Sequence, residues 1–318
     1  MTEQPLWIRY HRDFDGMVAG AVLAEALRAT RGETNMRLRS VNYDQRRNWS
    51  SFCEGLRFAI VDFHFHPRAE YWFDHHPTTF LDDGLRAAYV ENERWAWDEN
   101  SPSCPPMILR HAAEHWGFEP PDRFMEMARW SDVVDAARFE SVDQALFGEE
   151  PALRITRALS VPPEADWTDT LAEAMRDADL ESIAARADVE RAYERAARNR
   201  DKALRQFVPT VDSIEDAVVH YDASSNKIRR ERFAPFYHYP EVHYSVGVIP
   251  TRAGFHITAG ENPWNKPSNP VHVGELMETY GGGGHRAVGG ANPPSLEAAQ
   301  EAAREVARSL RASQRGEQ

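Results

Sequence analysis

Within residues 61–80, VDFHFHPRAEYWFDHHPTTF, Asp62 and the run Asp74-His75-His76 place carboxylates and imidazoles at the ends of two apolar segments. These segments, FAIVD (58–62) and YWFD (71–74), read as short buried strands. A third, LWIRYHRDFDG (6–16), is apolar through Tyr10 and then delivers His11, Asp13 and Asp15. In an open α/β sheet, ligands bind outside the carboxyl ends of the strands. Three such ends therefore bring Asp and His side chains to one crevice. Singly, each is an ordinary turn or cap residue. Together, an oxygen-and-imidazole donor set without thiolate suits Mn, Fe, Co or Zn, and a shared carboxylate can bridge two ions. Two metals are expected.

The elements that must hold these residues are legible around them. MVAGAVLAEALRAT (17–30) predicts a small-residue helix directly after the first ligand loop, the opening βα unit of a parallel sheet. MRLRSVNYD (36–44) alternates and predicts the next strand. After the polar stretch DENSPSC, PPMILRHAAEHWG predicts a helix that starts at Pro105-Pro106. A helix over 123–134 would carry Asp132 or Asp135 to the crevice. Residues 164–207, rich in Ala, Glu and Arg with charges mixed at helical spacing, predict two helices forming a solvated connector. A dimerising coiled coil through this stretch is the alternative, although no heptad is sustained, so a homodimer stays open.

From Val208 the pattern changes. AVVHY (217–221), HYSVGVIPT (243–251) and FHITAG (255–260) predict strands, and LEAAQEAAREVARSL (296–310) a closing helix. Between them lies YGGGGHRAVGGA. Glycines permit positive φ and close backbone approach to a ligand, and successive N–H groups can form an anion nest. Gly282, Gly283, Gly284, His285 and Arg286 are therefore candidate phosphate-binding residues. Lys227, Arg229, Arg230 and Arg232 read as a solvated face that could line a substrate path, as could Arg252, Asn262, Asn265 and Lys266.

At 318 residues, with 42% apolar and 27% charged residues, the chain is long enough for two domains and ordinary in composition for a soluble protein. A net charge of −13 argues against a broad grip on long duplex DNA. It leaves room for a small phosphorylated substrate beside two divalent ions. No run of 18 apolar residues predicts a membrane span, and the N-terminal MTEQPLWIRY has no signal-peptide pattern. With Cys53 and Cys104 as the only cysteines, a disulfide framework is not expected and a cytoplasmic location is.

HRDFDG (11–16), IVD (60–62), DHH (74–76) and GGGGHRAVGGA (281–291), in that order, resemble the DHH phosphoesterase superfamily. The resemblance is to its branch with a DHHA1 C-terminal domain, which holds RecJ-like, nanoRNase and pAp-phosphatase-like enzymes. It covers nearly the whole chain. It implies an α/β protein with a parallel-sheet DHH domain over 1–163, a helical connector over 164–207 and a smaller α/β DHHA1 domain over 208–318. The active site is expected in the cleft between the two domains.

It further implies His11 and Asp13 on a first metal, Asp62 as the bridging carboxylate, and Asp15 and His75 on a second metal. His76 is expected near substrate or hydrogen-bonded behind the ligands. Asp132, after Ser131, matches a fourth motif, with Asp135 as its rival. The implied catalytic residues are Asp62, His76 and His285, and the implied ions are Mn2+. Three features depart from the family pattern: a short Asp62–Asp74 interval with room for only a turn, the extra His64 and His66, which read as exposed loop histidines, and Pro77 after the DHH run.

The implied activity is hydrolysis of short single-stranded oligonucleotides, pAp, or linear or cyclic dinucleotides. The alternatives are an inorganic pyrophosphatase or exopolyphosphatase, and a catalytically weak nucleotide-binding regulatory protein.

Overall fold

The computed structural model describes residues 4–226, 231–251 and 254–316. Lys227, Arg229, Arg230 and Arg252 lie outside the described residues. The described chain divides into two compact units, residues 1–139 with 148–196 and residues 140–147 with 197–318.

The first unit opens with β1 (Leu6–His11), α1 (Phe14–Arg31), β2 (Met36–Val41), β3 (Arg57–Val61), β4 (Trp72–Asp74), α2 (Asp83–Ala88) and β5 (Trp95–Trp97). It continues through α3 (Cys104–Trp116) and α4 (Asp122–Asp135), then, after α5 (Val142–Phe147) of the second unit, α6 (Pro151–Ala158), α7 (Trp167–Ala174), α8 (Leu180–Ala184) and the first half of α9 (Ala187–Phe207). Its five strands form one parallel sheet in the order β2-β1-β3-β4-β5. A parallel sheet buried on both faces calls for near-continuous apolar strands. Leu6, Ile8 and Tyr10 of β1 and Phe58, Ala59, Ile60 and Val61 of β3 are all buried. Helix α1 begins where Asp13 accepts the Gly16 N–H and ends at Gly32 in the left-handed conformation, caps that fix both ends.

The second unit holds β6 (Val211–Glu215), β7 (Val218–Asp222), α10 (Ala234–His238), β8 (Tyr244–Thr251), β9 (Gly254–Glu261), α11 (Val273–Glu278), β10 (Gly283–His285), β11 (Val288–Ala291) and α12 (Leu296–Arg315). Its six strands follow the order β10-β11-β9-β8-β7-β6, with one parallel pair, β7 and β8, among antiparallel neighbours. Ala299, Ala303, Val306 and Leu310 of α12 pack into the same core as the sheet residues Tyr244, Val246 and Ile257.

The glycine-rich run is a hairpin at the edge of this sheet rather than a free loop. Gly284 pairs with Gly289 at φ +151°, a conformation that favours glycine.

Residues 164–207 form three helices, not two, and the first two are not a solvated connector. Trp167, Leu171 and Ala172 of α7 and Leu180 and Ile183 of α8 belong to the core of the first unit. Charge pattern alone hid this, because the carboxylates of α7 face inward too. Asp169 accepts hydrogen bonds from the Ser40 N–H at 2.7 Å and the Tyr10 hydroxyl at 2.6 Å and pairs with Arg39. Glu173 accepts from the Leu38 N–H at 2.7 Å. Two carboxylates one helical turn apart thus satisfy alternate N–H groups of β2, an edge strand that would otherwise present them unpaired.

Replacing Asp169 by Ala should lower stability by about 2 kcal/mol, because the buried Tyr10 hydroxyl and the Ser40 amide both lose their acceptor. Asp169→Asn, which keeps an acceptor oxygen, should lose clearly less. Thermal unfolding of the two variants beside the wild type measures this, and near-identical midpoints for the wild type and Asp169→Ala would contradict the edge-capping role.

Candidate metal centre

The ends of β1, β3 and β4 carry the proposed ligands, as a parallel sheet requires of residues that must meet at one edge. His11 closes β1, Asp13 caps α1 and Asp15 lies in its first turn. Asp62 follows β3, and Asp74 ends β4 with His75 and His76 directly after it. The interval from Asp62 to Asp74 holds turns and no helix, as its Pro67 suggested.

The ligand atoms converge in three overlapping groups, each spanning under 4.8 Å: His11, Asp13 and Asp62; Asp15, His75 and Asp135; and Asp62, Asp74, His75 and His76. Nδ1 of His11 lies 2.7 Å from Asp13 and 3.7 Å from Asp62. Nε2 of His75 lies 3.4 Å from Asp62, 3.6 Å from Asp135 and 3.7 Å from Asp15. Asp62 therefore faces both sets, one carboxylate oxygen towards His11 and the other towards His75.

Backbone groups aim these side chains. The Ser101 carbonyl lies 3.1 Å from Nδ1 of His75, which fixes the ring with Nε2 turned into the cluster. The Cys104 N–H at the start of α3 donates at 2.9 Å to Oδ2 of Asp15, the oxygen that lies 3.7 Å from His75, and so holds this carboxylate in place. Asp74 accepts from the His75 N–H and lies 2.8 Å from Nδ1 of His76, orienting that imidazole from behind. Tyr43 and Phe63 stand against the His11 ring, at centroid distances of 5.2 and 5.8 Å.

The fit to cations rests on what these atoms lack. Oδ1 of Asp15, both oxygens of Asp62, Oδ2 of Asp74 and Nε2 of His75 are all buried without a hydrogen-bond partner. A buried carboxylate with no partner is strongly disfavoured. Here the unpartnered atoms point at one another across gaps that divalent ions would bridge.

The titration behaviour carries the same signature. Burial opposes charge on His11, His75 and His76, yet the carboxylates close to each ring outweigh it, pushing them up to about 12, 11 and 9. Burial and the charges of Asp62 and Asp135 raise Asp15 well above the carboxylate range. Burial and Asp62 raise Asp135 to about 6. In Asp62, burial is overridden by His11 and His75, and its carboxyl is held low.

For the fourth motif, the sequence reading favoured Asp132, and the structure brings Asp135 to the cluster instead. Asp132 is turned to the Ser103 hydroxyl, which donates to it at 2.6 Å. The helical period gave a usable signal: Phe124, Met127, Ala128 and Ser131 are the buried stripe of α4, and Asp135 continues it one turn on. Asp74, a candidate from its place at the end of the YWFD segment although the family resemblance assigned it no role, belongs to the cluster as well.

His64 and His66 differ from the exposed loop residues expected. Both are buried, with His64 Nδ1 3.1 Å from the Thr79 carbonyl and His66 Nε2 3.1 Å from that of Trp49. Burial lowers His64 to about 4, a neutral core histidine among Trp49, Phe63 and Tyr43.

His285 and Arg286 are exposed on the β10–β11 hairpin of the second unit. Asn262 and Asn265 brace a turn instead of offering free amides: their Nδ2 groups donate to the Val242 and Glu241 carbonyls at 2.8 and 2.9 Å. Cys53 and Cys104 are unpaired. Among the described residues, no helix is long and apolar enough to cross a membrane.

No family model and no curated protein matches the chain at a significant level. Solved structures do. A pGpG-specific phosphodiesterase, PggH from Vibrio cholerae, aligns with a TM-score of 0.67 at 19% identity, over 99% of this chain and 100% of that one. An exonuclease RecJ bound to manganese aligns at 0.56 and 14% identity, over 97% and 90%. A DHH domain from a member of the s1p family of ribosomal proteins aligns at 0.54 and 12% identity, over 96% and 86%.

The chain has the DHH-domain fold. In it, the DHH run begins at Asp74, the last residue of β4, and continues into His75 and His76.

Asp135→Asn should lower the amount of divalent metal retained after gel filtration, whereas Asp132→Asn should retain wild-type metal. Elemental analysis of the two variants decides, and the opposite ranking would return the role to Asp132.

Proposed function

We propose that the chain is a divalent-metal-dependent phosphoesterase acting on small nucleotide substrates. The observation that carries this reading is the set of orphaned, buried ligand atoms gathered around Asp62. His11, Asp13 and Asp62 would hold one ion, and Asp15, Asp62, His75 and Asp135 a second, with Asp62 shared. A donor set of carboxylates and imidazoles without thiolate suits Mn2+, and the RecJ neighbour is described with manganese.

Bound ions would supply a water of lowered pKa and positive charge to stabilise the negative charge that develops on the phosphoryl oxygens. The chain's own residues do the rest. The backbone bonds from Cys104 and to Ser101 hold Asp15 and His75 in place before substrate arrives, so little reorganisation is needed during reaction. His76, steadied from behind by Asp74 and partly open to solvent, would hydrogen-bond a phosphoryl oxygen or hand a proton to the leaving oxygen. His285, with Arg286 and the backbone of Gly282, Gly283 and Gly284, is the proposed contact for a substrate phosphate.

The neighbour named as pGpG-specific favours linear dinucleotides as the first substrates to test, with short RNA, pAp and cyclic dinucleotides behind them. The acidic surface, at net charge −13, speaks for short substrates over long duplex DNA.

With Mn2+ added to metal-stripped protein, a panel of pGpG, other linear dinucleotides, short RNA, pAp, cyclic dinucleotides and pyrophosphate should show hydrolysis of a dinucleotide or short oligonucleotide, abolished by chelator. Turnover of pyrophosphate alone, or of nucleotides in full after metal removal, would overturn the reading.

His285→Ala should keep the metal content and cut kcat/KM on the nucleotide substrate by roughly 100-fold, the loss of one charge-assisted transition-state contact. Hydrolysis of bis-p-nitrophenyl phosphate should suffer far less. Equal losses on both substrates, or loss of metal, would place His285 at the metal centre itself.

A further inference from the structure

We propose that Tyr43, with Arg46 beside it, is the platform on which a base of the substrate stacks while the adjoining phosphate lies at the metal cluster. The inference rests on the nucleotide-phosphoesterase reading and assigns the part of the first unit that holds the nucleoside half of the substrate.

Strand β2 places the tyrosine. Val41, its last residue, pairs with His11 at the end of β1, so Tyr43, two residues on, stands at the same strand ends as the ligands. A short helical segment (Tyr43–Ser51) starts there, and the Asn42 N–H donates to Oε1 of Gln45 at 3.0 Å, which fixes the turn. The Tyr43 ring lies 5.2 Å from the ring of His11, 5.3 Å from Phe63 and 6.0 Å from His64. Phe63 and His64 are buried, whereas Tyr43 is 48% exposed. The ring is therefore backed by packed neighbours and half open to solvent. The Arg46 guanidinium carbon stands 4.4 Å from its centroid, in cation–π contact, and Arg46 is itself exposed.

This pairing selects a planar heterocycle. Aromatic stacking combined with an arginine is a recurring means of holding single-stranded nucleotides, and it works because every base has a π-face. Inorganic pyrophosphate has no such face and gains nothing from Tyr43. Tyr43 is also in ring contact with the ligand His11, so a base resting on it belongs to a nucleotide whose phosphate is at the cluster. A platform of this kind reads the presence of a base rather than its identity, and it favours the larger purine rings.

The test compares wild-type, Tyr43→Ala, Tyr43→Phe and Arg46→Ala proteins, each full-length and loaded with Mn2+. Guanosine 5′-monophosphate and ribose 5-phosphate, which differ only by the base, are titrated calorimetrically, and kcat/KM is measured on pGpG. The wild type should bind the nucleotide more tightly than the sugar phosphate. Tyr43→Ala should weaken nucleotide binding about ten-fold, the worth of one stacked base, and leave sugar phosphate binding and metal content as in the wild type. Arg46→Ala should cost about three-fold. Tyr43→Phe, which keeps the ring, should retain the nucleotide affinity. On pGpG the Tyr43→Ala loss should lie in KM more than in kcat. A wild type that hydrolyses no nucleotide would overturn the phosphoesterase reading itself. Nucleotide hydrolysis with Tyr43→Ala indistinguishable from the wild type would overturn the platform alone. So would equal losses in Tyr43→Phe and Tyr43→Ala, equal losses on nucleotide and sugar phosphate, or loss of metal.

Discussion

Asp62 is the constraint on which the rest of the centre depends. It is 1% exposed, neither carboxylate oxygen has a hydrogen-bond partner, and its backbone sits at φ +55°. A left-handed conformation costs an ordinary residue about 1–2 kcal/mol, and Asp is among the residues that tolerate it best. That turn, anchored where the Asp62 N–H donates to the Phe73 carbonyl at 2.8 Å, swings the carboxylate between His11 and His75. Buried charge, strained backbone and missing partners at one residue make little sense as fold stabilisation. They make sense together if positive charge completes the site.

The scaffold is arranged to bear this. Behind the strand ends lies a dense aromatic layer of Trp49, Phe52, Phe58, Phe63, Phe65 and Trp72. His66 sits inside it, its ring 5.3 Å from Phe58 and 5.6 Å from Trp49. The Trp49 and Trp72 indoles donate to the Phe65 and Phe63 carbonyls, so the segment after Asp62 is pinned although it lacks regular structure. On the far side of the sheet order, Asp169 and Glu173 close the open edge of β2. Rigid packing behind and at the edge leaves the strand ends as the place where unsatisfied polar groups collect.

How much of this was legible beforehand depended on the kind of signal. Strands ending in His11, Asp62 and Asp74 were readable because apolar runs stopped abruptly at metal-ligating residues, a local pattern. The choice between Asp132 and Asp135 depended on helix phase, and a motif match overrode it. His64 and His66 looked like loop histidines because the sequence cannot show that the loop is roofed by Trp49 and Phe63. The inward carboxylates of α7 were misread for the opposite reason: Asp169 and Glu173 look like a solvated face until β2 supplies the N–H groups that they accept. Local chemistry survives in the sequence, whereas partners brought in from more than a hundred residues away do not.

The most direct measurement of the central claim is anomalous X-ray scattering from crystals grown or soaked with Mn2+, collected at the manganese absorption edge. The account predicts two strong peaks separated by about 3.5–4 Å, as in other two-metal sites. Asp62 should bridge them, with His11 on one and His75 with Asp135 on the other. A single peak not touching Asp62, or no peak at the cluster with the metal at full occupancy elsewhere, would contradict it.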